Sequence, residues 1–172
     1  GKRFNIHQSI SQADSEIRRS IILEVYKKPN ELIDFLNGIY STDKFNTLIE
    51  VDFKGDSYYA LLLDDSKYIR EDYLSSGEHF LINLYRHIKN HCSLIVIDEI
   101  DISLDAAAQV NLVKKLRDYC SEYKVNILFT THSLAIMKTL NDGELLYIEN
   151  VEDNVISQPK SYNFIKSLLF GF

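Results

Sequence analysis

Hydrophobic positions along this chain change their period several times, and the changes mark its elements. Between Ser11 and Lys27 apolar side chains recur at Ile17, Ile21, Ile22 and Val25 with charges between them. That spacing predicts an amphipathic helix ending before Pro29. Asn30 can cap a second helix running to about Tyr40 and turning Leu32, Ile33, Leu36 and Ile39 inward. Thr47–Phe53 and Ser57–Leu63 are rich in β-branched, aromatic and aliphatic residues, and Lys54-Gly55-Asp56 separates them with a glycine turn. A hairpin is expected there. Asp64–Asp72 is charged and reads as irregular.

In the second half, strand and helix patterns alternate. Phe80, Leu81, Leu84, Tyr85 and Ile88 recur at helical spacing after Leu74-Ser75-Ser76-Gly77-Glu78, and the continuous apolar run Ser93–Ile97 follows. A run without alternation predicts a strand buried on both faces, as in a parallel sheet. A helix from about Asp105 to Tyr123, a second apolar strand Val125–Phe129 and a short helix to about Leu140 continue the alternation. Such alternation implies crossovers and a parallel sheet. Glu144–Glu149 and Asn154–Ser157 suggest an edge hairpin, and Tyr162–Phe170 a last helix.

Composition changes this picture little. At 172 residues and 45% hydrophobic, the chain can bury one core. A net charge of −6 argues against a wholly basic nucleic-acid-binding module, while leaving room for a local basic patch. Cys92 and Cys120 sit among apolar neighbours and read as buried thiols, not as a disulfide framework or zinc site. No run reaches the length of a membrane span, and the N-terminus has no signal-peptide core. A cytoplasmic location is the expectation.

Chemistry concentrates at three places. The strand Leu94–Ile97 ends in two adjacent acids, Asp98 and Glu99. In open α/β sheets ligands bind beyond the carboxyl ends of strands, so these acids suit a cation and a reacting group, or simply an acidic turn. His132, among Thr130, Thr131 and Ser133, should emerge on the same sheet edge, where it could donate a hydrogen bond to a phosphate oxygen. Leu74–Glu78 places two hydroxyls and a glycine before a helix, which fits either an anion site or an ordinary capping box closed by Glu78. Asp105 reads as the N-cap of the long helix.

Taken in order, these segments resemble the C-terminal half of an ABC-type ATPase head. Leu74–Glu78 resembles the signature motif, and Leu94–Glu99 resembles the Walker B strand with its catalytic glutamate. Asp98–Asp105 is similar to the run from Walker B to the D-loop, and Thr131-His132-Ser133 to the switch histidine. Ser76 and Glu78 stand where transporters commonly carry Gly and Gln, so the chain is more similar to the soluble branch holding SMC, Rad50, RecF and the overcoming-lysogenization-defect (OLD) ATPases. Ser161–Gly171 resembles the segment closing the ATPase part of OLD-like and antiphage-defence ATPases.

The resemblance implies an α/β, P-loop NTPase-like fold: a mostly parallel sheet flanked by helices, forming the C-terminal lobe of the head. Residues 1–73 would be a helical and hairpin segment, and 74–172 the lobe with the motifs. It implies ATP and Mg²⁺ as cofactors, with Asp98 holding the metal and Glu99 and His132 catalytic. Ser75, Ser76, Gly77, Glu78 and Asp105 would meet nucleotide in trans, across a dimer with a second ATPase head. A nuclease domain or subunit and DNA are possible partners; a membrane is not expected. No Gly-x-x-x-x-Gly-Lys-[Ser/Thr] loop occurs, since Gly1-Lys2 is followed by Arg3, so a Walker A lobe in the same parent chain is expected to be needed for activity. Two other readings stay open: a non-hydrolysing interaction module with this fold, and a metal-dependent hydrolase built on Asp98, Glu99, Asp101 and His132.

Overall fold

A computed structural model describes residues 13–64, 67–141, 143–151 and 154–170. The start of the first expected helix, the Gly1-Lys2 pair and Gly171 lie outside them. Helix α1, described over residues 13–22, ends earlier than its apolar spacing predicts. Glu24 turns the chain at φ +52°, and Lys27 and Glu50 exchange backbone hydrogen bonds at 2.9 Å each. Pairing with a distant strand thus replaces the last helical turn. Ile17 is 2% exposed, but Ile22 and Val25, expected to point inward, are 79% and 68% exposed. In α2 (Asn30–Tyr40) the expected residues Leu32, Ile33, Leu36 and Ile39 are buried, joined by Phe35. Asn30 is the first helical residue instead of the cap, which Pro29 occupies without a side-chain bond.

The hairpin forms as β1 (Leu48–Phe53) and β2 (Asp56–Leu62), paired antiparallel from Leu48↔Leu61 to Phe53↔Asp56. Lys54 and Gly55 both have positive φ at the turn, which is where a glycine relieves strain. A third strand, β3 (Tyr68–Arg70), pairs with β2 inside the stretch expected to be irregular. Its charges are paired through tertiary contacts: Arg70 bonds Asp14 and Asp72, and the Tyr68 hydroxyl donates to Asp14 at 2.8 Å. Ile17 packs with Ile49, Val51 and Ala60 on one face of this sheet. Leu48, Tyr59 and Leu61 are buried on the other, by the alternation of the strands. A 3₁₀ turn (Glu71–Tyr73) leads to α3 (Ser76–Lys89).

The chain divides into two compact units, Gly1–Arg86 and His87–Phe172, with the boundary inside α3. In the second, β4 (Leu94–Ile97) and β5 (Asn126–Phe129) pair in parallel, joined by α4 (Ala106–Tyr123). Parallel pairing, expected to dominate, is confined to these two strands among the described residues. Nor is β4 buried on both faces. Ile97 is 9% exposed, whereas Leu94 and Val96, together with Leu128 beside them, are 56%, 67% and 56% exposed. Ile95, Ile97, Ile127 and Phe129 share the opposite face by register, and Ile127 and Phe129 line a groove with Val113, Leu116 and Cys120 of α4. α4 lies over that face only. Cys92 and Cys120 are free thiols and half-buried, not fully buried.

After β5 comes the short helix α5 (Leu134–Thr139). The C-terminal hairpin, β6 (Leu146–Val151) and β7 (Asn154–Pro159), is antiparallel as expected, but it forms its own sheet and not an edge of the β4–β5 pair. Helix α6 (Tyr162–Phe170) packs the Phe164 ring edge-on to Tyr147, 6.2 Å between centroids. No helix among the described residues is long and apolar enough to cross a membrane.

Candidate functional site

The Leu74–Glu78 turn is built as a reciprocal capping box. The Ser75 backbone N–H donates to Glu78 Oε2 at 2.9 Å, and the Glu78 N–H donates to Ser75 Oγ at 3.3 Å. The other oxygen of Glu78 receives Lys44 Nζ at 2.5 Å, so both carboxylate oxygens hold the turn. Burial acts to raise the Glu78 pKa, but the bonds from Lys44 and Ser75 outweigh it, and the carboxyl titrates below its ordinary range. Ser75 and Ser76 are exposed, while Gly77 and Glu78 are buried. Ser75 and Ser76 therefore lie at the surface on a turn that Glu78 braces from inside.

The second site follows from parallel register. Ile97 pairs with Phe129, so β4 and β5 end level and release Asp98 and Thr130 side by side. The ladder continues one step, from Thr130 N–H to the Ile97 carbonyl at 3.0 Å. The Thr130 hydroxyl then donates to Asp98 Oδ1 at 2.6 Å and accepts from the Glu99 N–H at 2.7 Å. Glu99 sits at φ +50°, an uncommon conformation for a residue with a Cβ, and its side chain is exposed. Asp98 and His132 are exposed as well.

The turns around these residues are tied into one ring. The Thr131 hydroxyl donates to Asp101 Oδ1 at 2.5 Å, and the His132 N–H donates to the same oxygen at 3.3 Å. Ser133 donates its hydroxyl to Gln109 Oε1 at 2.5 Å, and Gln109 Nε2 donates to the carbonyls of Asp101 and Leu104 at 3.2 and 2.8 Å. Asp105 caps α4, accepting the Ala108 N–H at 2.9 Å, as its position in the sequence predicts. Ser133 caps α5 in the same way.

Asp98, Glu99, Asp105 and the His132 turn are thus brought together at the carboxyl end of β4 and β5. Ser75, Ser76, Gly77 and Glu78 belong to the other unit. Gln109 and the hydroxyl of Thr130 escaped the sequence reading. A glutamine in the first turns of an amphipathic helix looks like solvated surface, and only the fold shows that it bonds two carbonyls of the preceding turn.

The donor set fits Mg²⁺ held together with phosphates. Asp98 is an exposed hard oxygen donor with Oδ2 unbonded among the described residues, and magnesium commonly takes one or two carboxylates and completes its shell with water and phosphate. It does not fit a stand-alone metal hydrolase. No three His, Cys, Asp or Glu side chains gather as ligands among the described residues, and Asp101 is engaged by the histidine turn.

Comparisons with known proteins give the family and the fold. A family model described as "AAA domain, putative AbiEii toxin, Type IV TA system" matches residues 3–138. The phosphonates import ATP-binding protein PhnC of Lactobacillus johnsonii is 29% identical over 152 residues, covering 77% of this chain and 59% of that protein. The chain spans 31% to 59% of the length of the curated relatives it matches. Among solved structures, the SMC head domain from Thermotoga maritima superposes with a TM-score of 0.52 at 16% identity, covering 84% of this chain and 52% of that one. A chain from "Structural biochemistry of ATP-driven dimerization and DNA stimulated activation of SMC ATPases" gives 0.55 at 13% identity, covering 83% and 95%. The chain belongs to the AAA_21 family, and its fold is that of an ABC- and SMC-type P-loop ATPase head.

Proposed function

We propose that this chain is the part of an ATPase head that carries the hydrolytic acids, and that two heads close around nucleotide. One observation carries the reading: adjacent acids and a histidine turn leave the level ends of two parallel strands, hydrogen-bonded to one another. Bound Mg²⁺-ATP supplies the phosphoryl group and the charge that must be neutralised. Asp98 holds the cation through its remaining oxygen. Glu99, exposed beside it, orients and polarises the attacking water. His132 donates a hydrogen bond to an oxygen of the transferred phosphoryl group. Catalysis of this kind is positioning plus electrostatics, so a braced rim matters more than any single acid.

The exposed Ser75 and Ser76, with Gly77 next in the first turn of the helix, meet nucleotide held by a second head; Glu78 supports that turn from within. Asp105 lies along the same seam. The Walker A loop that the sequence lacks comes from another lobe, which also covers the aliphatic face of Leu94, Val96 and Leu128. The heads power a defence or DNA-repair nuclease system. The resemblance of Ser161–Gly171 to the segment closing OLD-like ATPases is what suggests that role.

The test is Glu99→Gln in the protein that contains the Walker A lobe. ATP binding and ATP-dependent dimerisation should persist while turnover falls by about 100-fold or more. Unchanged turnover would remove Glu99 from its role, and dimerisation indifferent to ATP would favour a non-hydrolysing interaction module.

A further inference from the structure

We infer that Thr130 is the positioning residue of the hydrolytic site: its single hydroxyl sets both the Asp98 carboxylate and the left-handed turn that presents Glu99. The inference rests on the ATPase reading above and adds to it a residue that neither motif matching nor the family assigns.

Thr130 contacts the whole exit of β4. Its N–H donates to the Ile97 carbonyl at 3.0 Å and its carbonyl accepts from the Ile100 N–H at 3.1 Å. Between these ladder bonds the Glu99 N–H would be left without a backbone partner, because Glu99 has turned to φ +50°. The side-chain oxygen of Thr130 fills that gap at 2.7 Å. Its proton direction follows from chemistry alone. An amide N–H can only donate, so the hydroxyl accepts from Glu99 and its one proton goes to Asp98 Oδ1, 2.6 Å away.

Two consequences follow. One oxygen of Asp98 is fixed as a hydrogen-bond acceptor, which leaves the other to face a cation. And the strained turn at Glu99, costly for a residue with a Cβ, is held by a bond that exists only while the hydroxyl does. A valine at this position would keep the β-branched shape and the two ladder bonds and would lose both acid contacts. A serine would keep the hydroxyl.

The experiment compares Thr130→Val, Thr130→Ser and Glu99→Gln in the protein that contains the Walker A lobe, beside amide exchange on the unsubstituted chain. Thr130→Val should lower kcat about 10- to 100-fold with KM for ATP changed less than about threefold, as expected for a displaced catalytic group. It should also raise the Mg²⁺ concentration needed for half-maximal turnover. Thr130→Ser should restore most of kcat. The Glu99 amide should exchange at least about tenfold more slowly than an unprotected amide, and Thr130→Val should erase that protection. Equal kcat in the valine and unsubstituted proteins, with Glu99→Gln inactive, would overturn this inference and leave the ATPase reading intact. Full turnover by Glu99→Gln would overturn the reading itself. Fast Glu99 exchange in the unsubstituted chain would overturn the inference even if Thr130→Val failed to fold.

Discussion

Removing the Glu78 carboxylate tests whether the capping box and the Lys44 pair hold the Leu74–Glu78 turn. The side chain is 10% exposed and its two oxygens have separate partners, Ser75 N–H at 2.9 Å and Lys44 Nζ at 2.5 Å. Lys44 is 48% exposed, so it can return to water when its partner is lost, and its share is discounted for screening to below about 1 kcal/mol. The bond to the Ser75 N–H is charge-assisted and largely desolvated, worth about 1.5 kcal/mol. Glu78→Ala should therefore cost about 2 kcal/mol, and Glu78→Gln, which keeps an acceptor for Ser75, about 1 kcal/mol. With about 2–4 °C per kcal/mol for a chain of this size, the alanine variant should melt roughly 4–8 °C lower. pH supplies an independent check. The folded pKa of Glu78 lies below its ordinary value of 4.5, so the carboxylate stabilises the fold above that pH and its contribution is lost as pH falls through the folded value. The stability gap between Glu78→Gln and the unsubstituted chain should be full near pH 6 and shrink steadily below pH 4.5. Urea titrations at pH 3.5, 4.5 and 6 measure it. A gap that did not change with pH, or a glutamine variant as stable as the unsubstituted chain, would show that the charge does not hold this turn.

Other expectations are narrower. Asp105→Ala removes the cap of α4 and should cost about 1 kcal/mol in chemical denaturation, with Asp105→Asn or Ser restoring most of it. Asp101→Ala frees the Thr131 hydroxyl and the His132 N–H and should lower turnover of the protein containing the Walker A lobe by about tenfold, whereas Asp101→Asn, which keeps an acceptor, should lose less. Arg117 hydrogen-bonds Glu144 and the Asn141 N–H adds to it, holding the Glu144 carboxyl at about 2. Because both partners are a third or more exposed, Glu144→Gln should cost under about 1 kcal/mol at pH 7, and less in 1 M salt. Burial pushes the Cys120 thiol up, so iodoacetamide at pH 7.5 should label it about tenfold more slowly in the folded chain than in denaturant.

The amino-acid pattern alone determined the elements and the chemistry they carry. Helix α6, the β1–β2 turn, a capping box closed by Glu78, the cap at Asp105, and the acids that follow β4 were all readable, because each depends on neighbours a few residues apart; that Ser75 and not Ser76 is the cap was not. Tertiary structure decided whatever depends on distant partners. Lys27 meets Glu50 and ends α1 early; Asp14 neutralises Arg70 and turns a charged stretch into β3; α4 covers only one face of β4 and β5. The same holds at the site. A threonine two residues before a histidine is unexceptional in a sequence, and Gln109 reads as an ordinary surface residue. Only the level ends of two parallel strands put the Thr130 hydroxyl between Asp98 and Glu99, since hydrogen bonds reach about 3 Å in space whatever the separation along the chain.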